Sequence, residues 1–178
     1  METIARISRV ARVFHALWGI LLVALPVLTV AYWVSLNHVQ WIFDPPPGLD
    51  AAHRPLPGSA LWGGFAASLL PLVVVTYGLV QLRRLFGLYR RGRIFTSDNV
   101  RCLKGFGVAL ILWPVVTPIY DALVSVALTF SNPPGQRLLA VGLQGTDVGL
   151  ALIGGVLVVI SWVMREGCRL ADDQAQIV

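Results

Sequence analysis

Four apolar runs, each long enough to cross a lipid bilayer, constrain this chain more than any other feature; they fall at about 13–34, 60–82, 105–130 and 148–164. A hydrocarbon core about 30 Å thick takes roughly 20 helical residues at about 1.5 Å each. Inside lipid the backbone must satisfy its own hydrogen bonds, which leaves helices or closed barrels, and runs of this length select helices. Composition agrees: only 13% of residues are charged and 56% are hydrophobic, where a soluble domain carries about a quarter charged. The runs take up nearly all of the 178 residues, so the expectation is an all-α polytopic membrane protein. It has one membrane domain, four transmembrane helices in a bundle, and no room for a separate soluble domain.

The first run follows Arg6, Arg9 and Arg12, as a secretory signal would. Its apolar stretch is longer than a signal's, and it ends in Tyr32-Trp33-Val34 instead of small residues. Bulky aromatics of that kind sit at membrane interfaces, so a retained helix is expected. Pro26, Pro71, Pro114 and Pro118 lie within the runs. In membrane helices they read as bends, because neighbouring helices and waters can satisfy the freed carbonyls.

Charge gives the direction of threading. Twelve of the 14 Lys and Arg fall in the N-terminal segment, the 83–104 connection and the 165–178 tail, leaving only Arg54 and Arg137 elsewhere. Cytoplasmic segments carry the basic excess. Both termini and the 83–104 connection are therefore expected inside, with loops 35–59 and 131–147 outside, and the cell inner (cytoplasmic) membrane is the expected location. The overall charge of +5 is read as attraction to anionic lipid headgroups at the inner face, and no direct binding of nucleic acid is expected.

The connections differ in kind. Residues 44–58 hold five prolines and two glycines, which rules out a regular helix. Asn132-Pro133-Pro134-Gly135 marks a similar break, and the apolar Leu138-Leu139-Ala140-Val141 within Gln136–Gly145 suggests a short interfacial helix. In the 83–104 connection, Leu82, Leu85, Phe86 and Tyr89 recur at three- and four-residue steps, which carries the second helix beyond the bilayer. Gly92 ends that helix, and Thr96, Ser97 and Asp98 are good N-cap residues for the third.

Few residues suggest chemistry. Asp121 is the one acid well inside an expected span. A carboxylate there has two readings: ion or proton handling, or a polar anchor bonded to a neighbouring hydroxyl or to Arg137. His15 stands alone near a span and His38 and His53 lie outside, which matches neither two-histidine haem ligation nor a metal pattern. No cofactor and no metal are expected. Cys102 and Cys168 fall on the inner side, away from any disulfide-forming chemistry. Ala60, Gly63, Gly64, Ala67 and Ser68, with Gly149, Ala151, Gly154 and Gly155, place small residues on the second and fourth helices. They serve packing within the chain or a homodimer face.

Two polar stretches resemble a known family. Gly92-Arg93-Ile94-Phe95-Thr96-Ser97-Asp98-Asn99 resembles the Gly-x-Ile-Phe-Ser/Thr-x-x-Asn element between the second and third helices of a bacterial membrane family called domain of unknown function twenty-nine seventy-five. The tail from Glu166 through Gly167, Arg169, Leu170, Asp172, Asp173 and Gln174 to Val178 resembles its closing Gly-x-x-Leu-x-acidic-acidic-Gln element with a terminal valine. The family tail commonly ends acidic-Leu-Thr-Val, where this chain has Ala175-Gln176-Ile177-Val178. The resemblance implies a four-span layout, and members often encoded beside a small helix-turn-helix transcription regulator, hence a membrane partner for a DNA-binding protein.

These readings lead to a non-enzymatic membrane protein whose cytoplasmic face binds a protein partner, a small regulator being the candidate. Arg90, Arg91, Arg93, Phe95, Asn99, Glu166, Leu170, Asp172 and Asp173 are the candidate contact residues. The two acids Asp172 and Asp173 could alternatively clasp the arginine-rich connection within the chain. The competing function is a small transporter or channel component using Asp121.

Overall fold

The computed structural model describes residues 2–37, 55–93, 96–133 and 135–175, with side chains placed from residue 9 to residue 169 within those stretches. Four helices account for most of them: α1 (Glu2–Ser35), α2 (Gly58–Arg90), α3 (Ser97–Thr129) and α4 (Gly145–Ala175). All four are long and apolar enough to cross a membrane, and no strand occurs among the described residues. Each helix of about 33 residues extends roughly 50 Å at about 1.5 Å per residue, well beyond a hydrocarbon core of about 30 Å. Pro26, Pro71, Pro114 and Pro118 all sit within continuous helix.

The helices pack in chain order, α1 on α2, α2 on α3 and α3 on α4, and among the described residues no other pair brings its Cα atoms within 8 Å of each other. The arrangement is an open row, where the apolar runs alone suggested a bundle. A membrane explains why the row is tolerated: lipid tails are as apolar as leucine, so no hydrophobic force compels the end helices to close on each other. Large residues such as Val23, Val73, Leu152 and Val163 accordingly stay about two-thirds exposed, as lipid-facing side chains do.

Close approach replaces hydrophobic collapse as the source of packing. A Cβ on Gly107 would stand 2.8 Å from the Gly154 carbonyl oxygen, and one on Gly154 would stand 2.6 Å from that of Gly107. Only two glycines allow α3 and α4 to meet there. Gly64 on α2 receives the outer atoms of the six-membered ring of the Trp33 indole from α1, in space that a Cβ would fill. Trp33 is 4% exposed, so it anchors the core instead of lying in an interfacial aromatic belt. Ala60, Ala67, Leu36, Leu56, Val124 and Leu128 complete that core. The small residues of α2 thus pack within the chain, while Gly149 and Gly155 of α4 face open space.

Candidate functional site

At the arginine-rich end, the chain turns from α2 to α3 with local capping chemistry. The Arg93 N–H donates to the Leu88 carbonyl (3.1 Å) and the Gly92 N–H to that of Tyr89 (3.0 Å), the pair of bonds that closes a Schellman motif. Gly92 adopts φ +73°, a left-handed conformation that glycine enters without a Cβ penalty. Thr96 is the N-cap of α3. Asn99, one turn further on, is 1% exposed and donates its amide to the Arg93 carbonyl (2.8 Å). Asn99 therefore ties the turn together from inside and presents nothing to a partner. Much of the Gly92–Asn99 element is accounted for by this geometry.

The other candidate residues of this end divide clearly. Arg90, Arg91 and Arg93 are exposed on the turn. Glu166 pairs with Arg169 of its own helix at 4.0 Å, with both side chains more than half exposed. Phe95 and the side chains of Leu170, Asp172 and Asp173 lie outside the described residues, so the expected clasp does too; the backbone of the last three continues α4 as helix.

A cavity of about 600 Å³ opens beside the turn between α1, α2 and α3, and Arg83, Arg84, Arg91 and Arg101 line it. Asp98 is the only acid in its wall among the described residues and pairs with Arg101 at 4.0 Å. The Arg83 guanidinium rests against Gly19 of α1. His15 donates from Nδ1 to the Arg83 carbonyl oxygen at 3.0 Å, which gives this histidine a structural partner. Leu22 and Val80 also line the cavity.

The opposite end is built on polar side chains of α3. Residues 136–144 form neither the short helix suggested by their sequence nor any other regular element. They run extended along α3, held by a ladder of side chains four residues apart. The Leu138 N–H donates to Thr129 Oγ1 (3.1 Å), the Ala140 N–H to Ser125 Oγ (3.0 Å), and the Gly142 backbone to the Asp121 carboxylate. Four helical residues rise about 6.0 Å and two extended residues about 6.7 Å, so the rungs stay nearly in register over three steps. Asp121 is thereby an acceptor for the returning backbone. Neither a hydroxyl nor Arg137 is its partner; Arg137 stacks 5.2 Å from the Phe130 ring centre.

The ladder ends on a residue that sequence reasoning passed over. Asp147, in the first turn of α4, is 5% exposed and accepts the Gln144 N–H (3.0 Å) and the Trp113 indole N–H (3.0 Å). The first bond is half of a capping box; the second ties α4 to the middle of α3. Gln144-Gly145-Thr146-Asp147 carries the capping spacing in sequence, whereas nothing local announces Trp113. Beside the ladder a groove of about 420 Å³ is lined by Thr29, Trp33, Ser68, Tyr120 and Asp121 among others. Trp33 Nε1 donates to Ser68 Oγ (2.9 Å), and Ser68 donates on to the Gly64 carbonyl (3.0 Å).

A family model described as "Protein of unknown function (DUF2975)" matches residues 35–178, from the end of α1 through the turn, the ladder and α4. No curated protein and no solved structure matches the chain.

Proposed function

The chain belongs to the DUF2975 family of proteins of unknown function, and from that premise we propose that it is a non-enzymatic, multi-pass inner-membrane protein whose arginine-rich face is cytoplasmic and docks a protein partner. The observation that carries this reading is the presentation of Arg90, Arg91 and Arg93. They are exposed on a turn whose backbone is fixed by the Gly92 stop and by the buried Asn99. A rigid display loses little entropy on binding, and none of the three has a carboxylate partner among the described residues. An acidic surface on the partner suits them, with the small helix-turn-helix regulator implied by the family resemblance as the candidate.

The test uses the full-length chain in mild detergent with such a regulator, purified separately. Arg90→Glu with Arg93→Glu is expected to weaken binding at least tenfold and to leave the melting temperature unchanged. Equal binding by the variant, or none by the parent, removes the proposal.

The groove beside Asp121 favours a second reading, a small transporter or channel component. Here Asp121→Asn should abolish cation flux in proteoliposomes. The reading loses its support if the parent carries no flux, or if the variant carries as much as the parent.

A further inference from the structure

We infer that the cavity at the arginine-rich end is a phosphate-binding site, filled by the headgroup of an anionic phospholipid. This goes beyond the docking of a protein, because the cavity wall and the exposed face of the turn use largely different residues. Arg83, Arg84, Arg91 and Arg101 line a space of about 600 Å³ in which Asp98 is the single acid among the described residues. Asp98 is already paired with Arg101, which leaves three guanidinium groups without a carboxylate among the described residues.

Such an arrangement calls for an anion. Guanidinium groups near a bilayer are costly unless paired or drawn to phosphate, and their planar donors match phosphate oxygens two at a time. Arg83 is exposed, and its guanidinium lies against Gly19, one turn along α1 from the His15 that bonds its own carbonyl. The apolar part of the wall indicates where the phosphate comes from. Leu22 and Val80 line the same cavity and belong to the apolar runs of α1 and α2. A ligand with a phosphate at one end and an acyl chain at the other fits both parts, whereas free phosphate uses only the arginines.

Calorimetric titration of the full-length protein in nonionic detergent tests this with three probes: dioctanoyl phosphatidylglycerol, dioctanoyl phosphatidylcholine and inorganic phosphate. Saturable binding of the glycerol lipid is expected, at least tenfold tighter than the choline lipid. It should weaken at least tenfold in Arg84→Gln/Arg91→Gln/Arg101→Gln. It should change less than twofold in Arg90→Gln/Arg93→Gln/Lys104→Gln, which removes the same charge from outside the cavity. If the first triple variant does not fold, Arg84→Gln and Arg101→Gln singly should each weaken binding about threefold or more. Displacement of the lipid by millimolar inorganic phosphate would support the phosphate site and reassign its occupant to the free anion. Equal losses in the two triple variants, equal binding of the two lipids, or no saturable binding overturns the inference. Arg91 belongs to both surfaces, but partner docking is tested by Arg90→Glu with Arg93→Glu and lipid binding by Arg84→Gln and Arg101→Gln, which share no residue, so a failure here is separable from a failure of partner docking.

Discussion

In their described residues, the α2–α3 and α3–α4 connections solve one problem in opposite ways. Between α2 and α3 the bonds of the described residues join near neighbours in sequence: Arg93 with Leu88, Gly92 with Tyr89, Asn99 with Arg93. Between α3 and α4 the chain takes residues 130–144 and returns along α3, with bonds that span nine residues at Thr129 and Leu138, fifteen at Ser125 and Ala140, and thirty-four at Trp113 and Asp147. Extended backbone in an apolar setting must find acceptors or lose a few kcal/mol per group, roughly 1–3 by mutational data. The first connection finds them through the C-terminal cap of α2 and the Asn99 amide; the second requires a polar stripe on a neighbouring helix. The lesson is that Asp121, Ser125 and Thr129 are polar because a returning backbone needs them, whatever else Asp121 does.

The largest effect is therefore expected at the foot of the ladder. Asp147→Ala leaves the Trp113 indole N–H and the Gln144 N–H without their acceptor. Gln144 is exposed, so the full penalty of about 1–3 kcal/mol for an unsatisfied group falls on the indole, and the loss should be roughly 2–3 kcal/mol, read as a fall in the midpoint of unfolding in detergent. A fall of no more than a few tenths of a kcal/mol would show that the long connection does not depend on Asp147.

The middle of the ladder is next. Ser125 is fully buried, and Ser125→Ala removes the acceptor for Ala140, at an expected loss of about 1–3 kcal/mol. Thr129→Val keeps shape and removes the acceptor for Leu138. If the strap behaves as one unit, the double variant should lose less than the two singles together, since residues sharing a network are not additive. A cysteine at Leu139 should become more reactive to a thiol reagent in the same variants. Full additivity with unchanged labelling would mean that each rung stands alone.

The turn at the arginine-rich end should be more forgiving. Gly92→Ala forces a Cβ into a φ of +73°, at about 1–2 kcal/mol, and Gly92→Asn should lose less because asparagine enters that region more readily. The effect should add to that of Ser125→Ala, because the two connections share no partner. Coupling between them would break the contrast and make the ends of the row one cooperative unit.

What could be read from the sequence follows the same division. Gly92 as a stop was legible because its capping chemistry is written within four residues, and Thr96 holds the N-cap position of α3 without a cap hydrogen bond from its hydroxyl. The four membrane helices were legible from run length. The strap was not, because Leu138-Leu139-Ala140-Val141 is apolar without alternation, and its extended path is dictated by acceptors on α3. Asp121, Ser125 and Thr129 do recur at four-residue steps, a pattern that marks one helical face but does not say what lies on it. Trp33 belongs to the same class: its aromatic bulk suggested an interface, and only Gly64, about thirty residues on, turns it into a core anchor. Asn99 reads in the sequence as a contact residue for a partner, whereas its amide turns inward to the Arg93 carbonyl.

The smallest effect is expected where the two ends differ least from bulk solvent. Asp98 and Arg101 meet at 4.0 Å with side chains 57% and 81% exposed. An exposed pair of this kind contributes about 0–1 kcal/mol, because water competes for both charges and two long side chains lose freedom in holding one geometry. Asp98 also stands in the first turn of α3, where a negative charge interacts favourably with the helix N-terminus at about 0.3–1 kcal/mol. Both contributions are screened by salt, with a Debye length of about 8 Å at physiological ionic strength. Asp98→Asn should therefore lower stability by under about 1 kcal/mol at low salt and by almost nothing in 1 M salt. The buried Asp147→Asn should keep most of its effect in 1 M salt, because its carboxylate bonds an indole and a backbone N–H away from solvent. Loss of the salt-insensitive component at Asp147 would erase the contrast between the ends, whereas a salt-insensitive loss at Asp98 would show that the turn, too, depends on a carboxylate shielded from water.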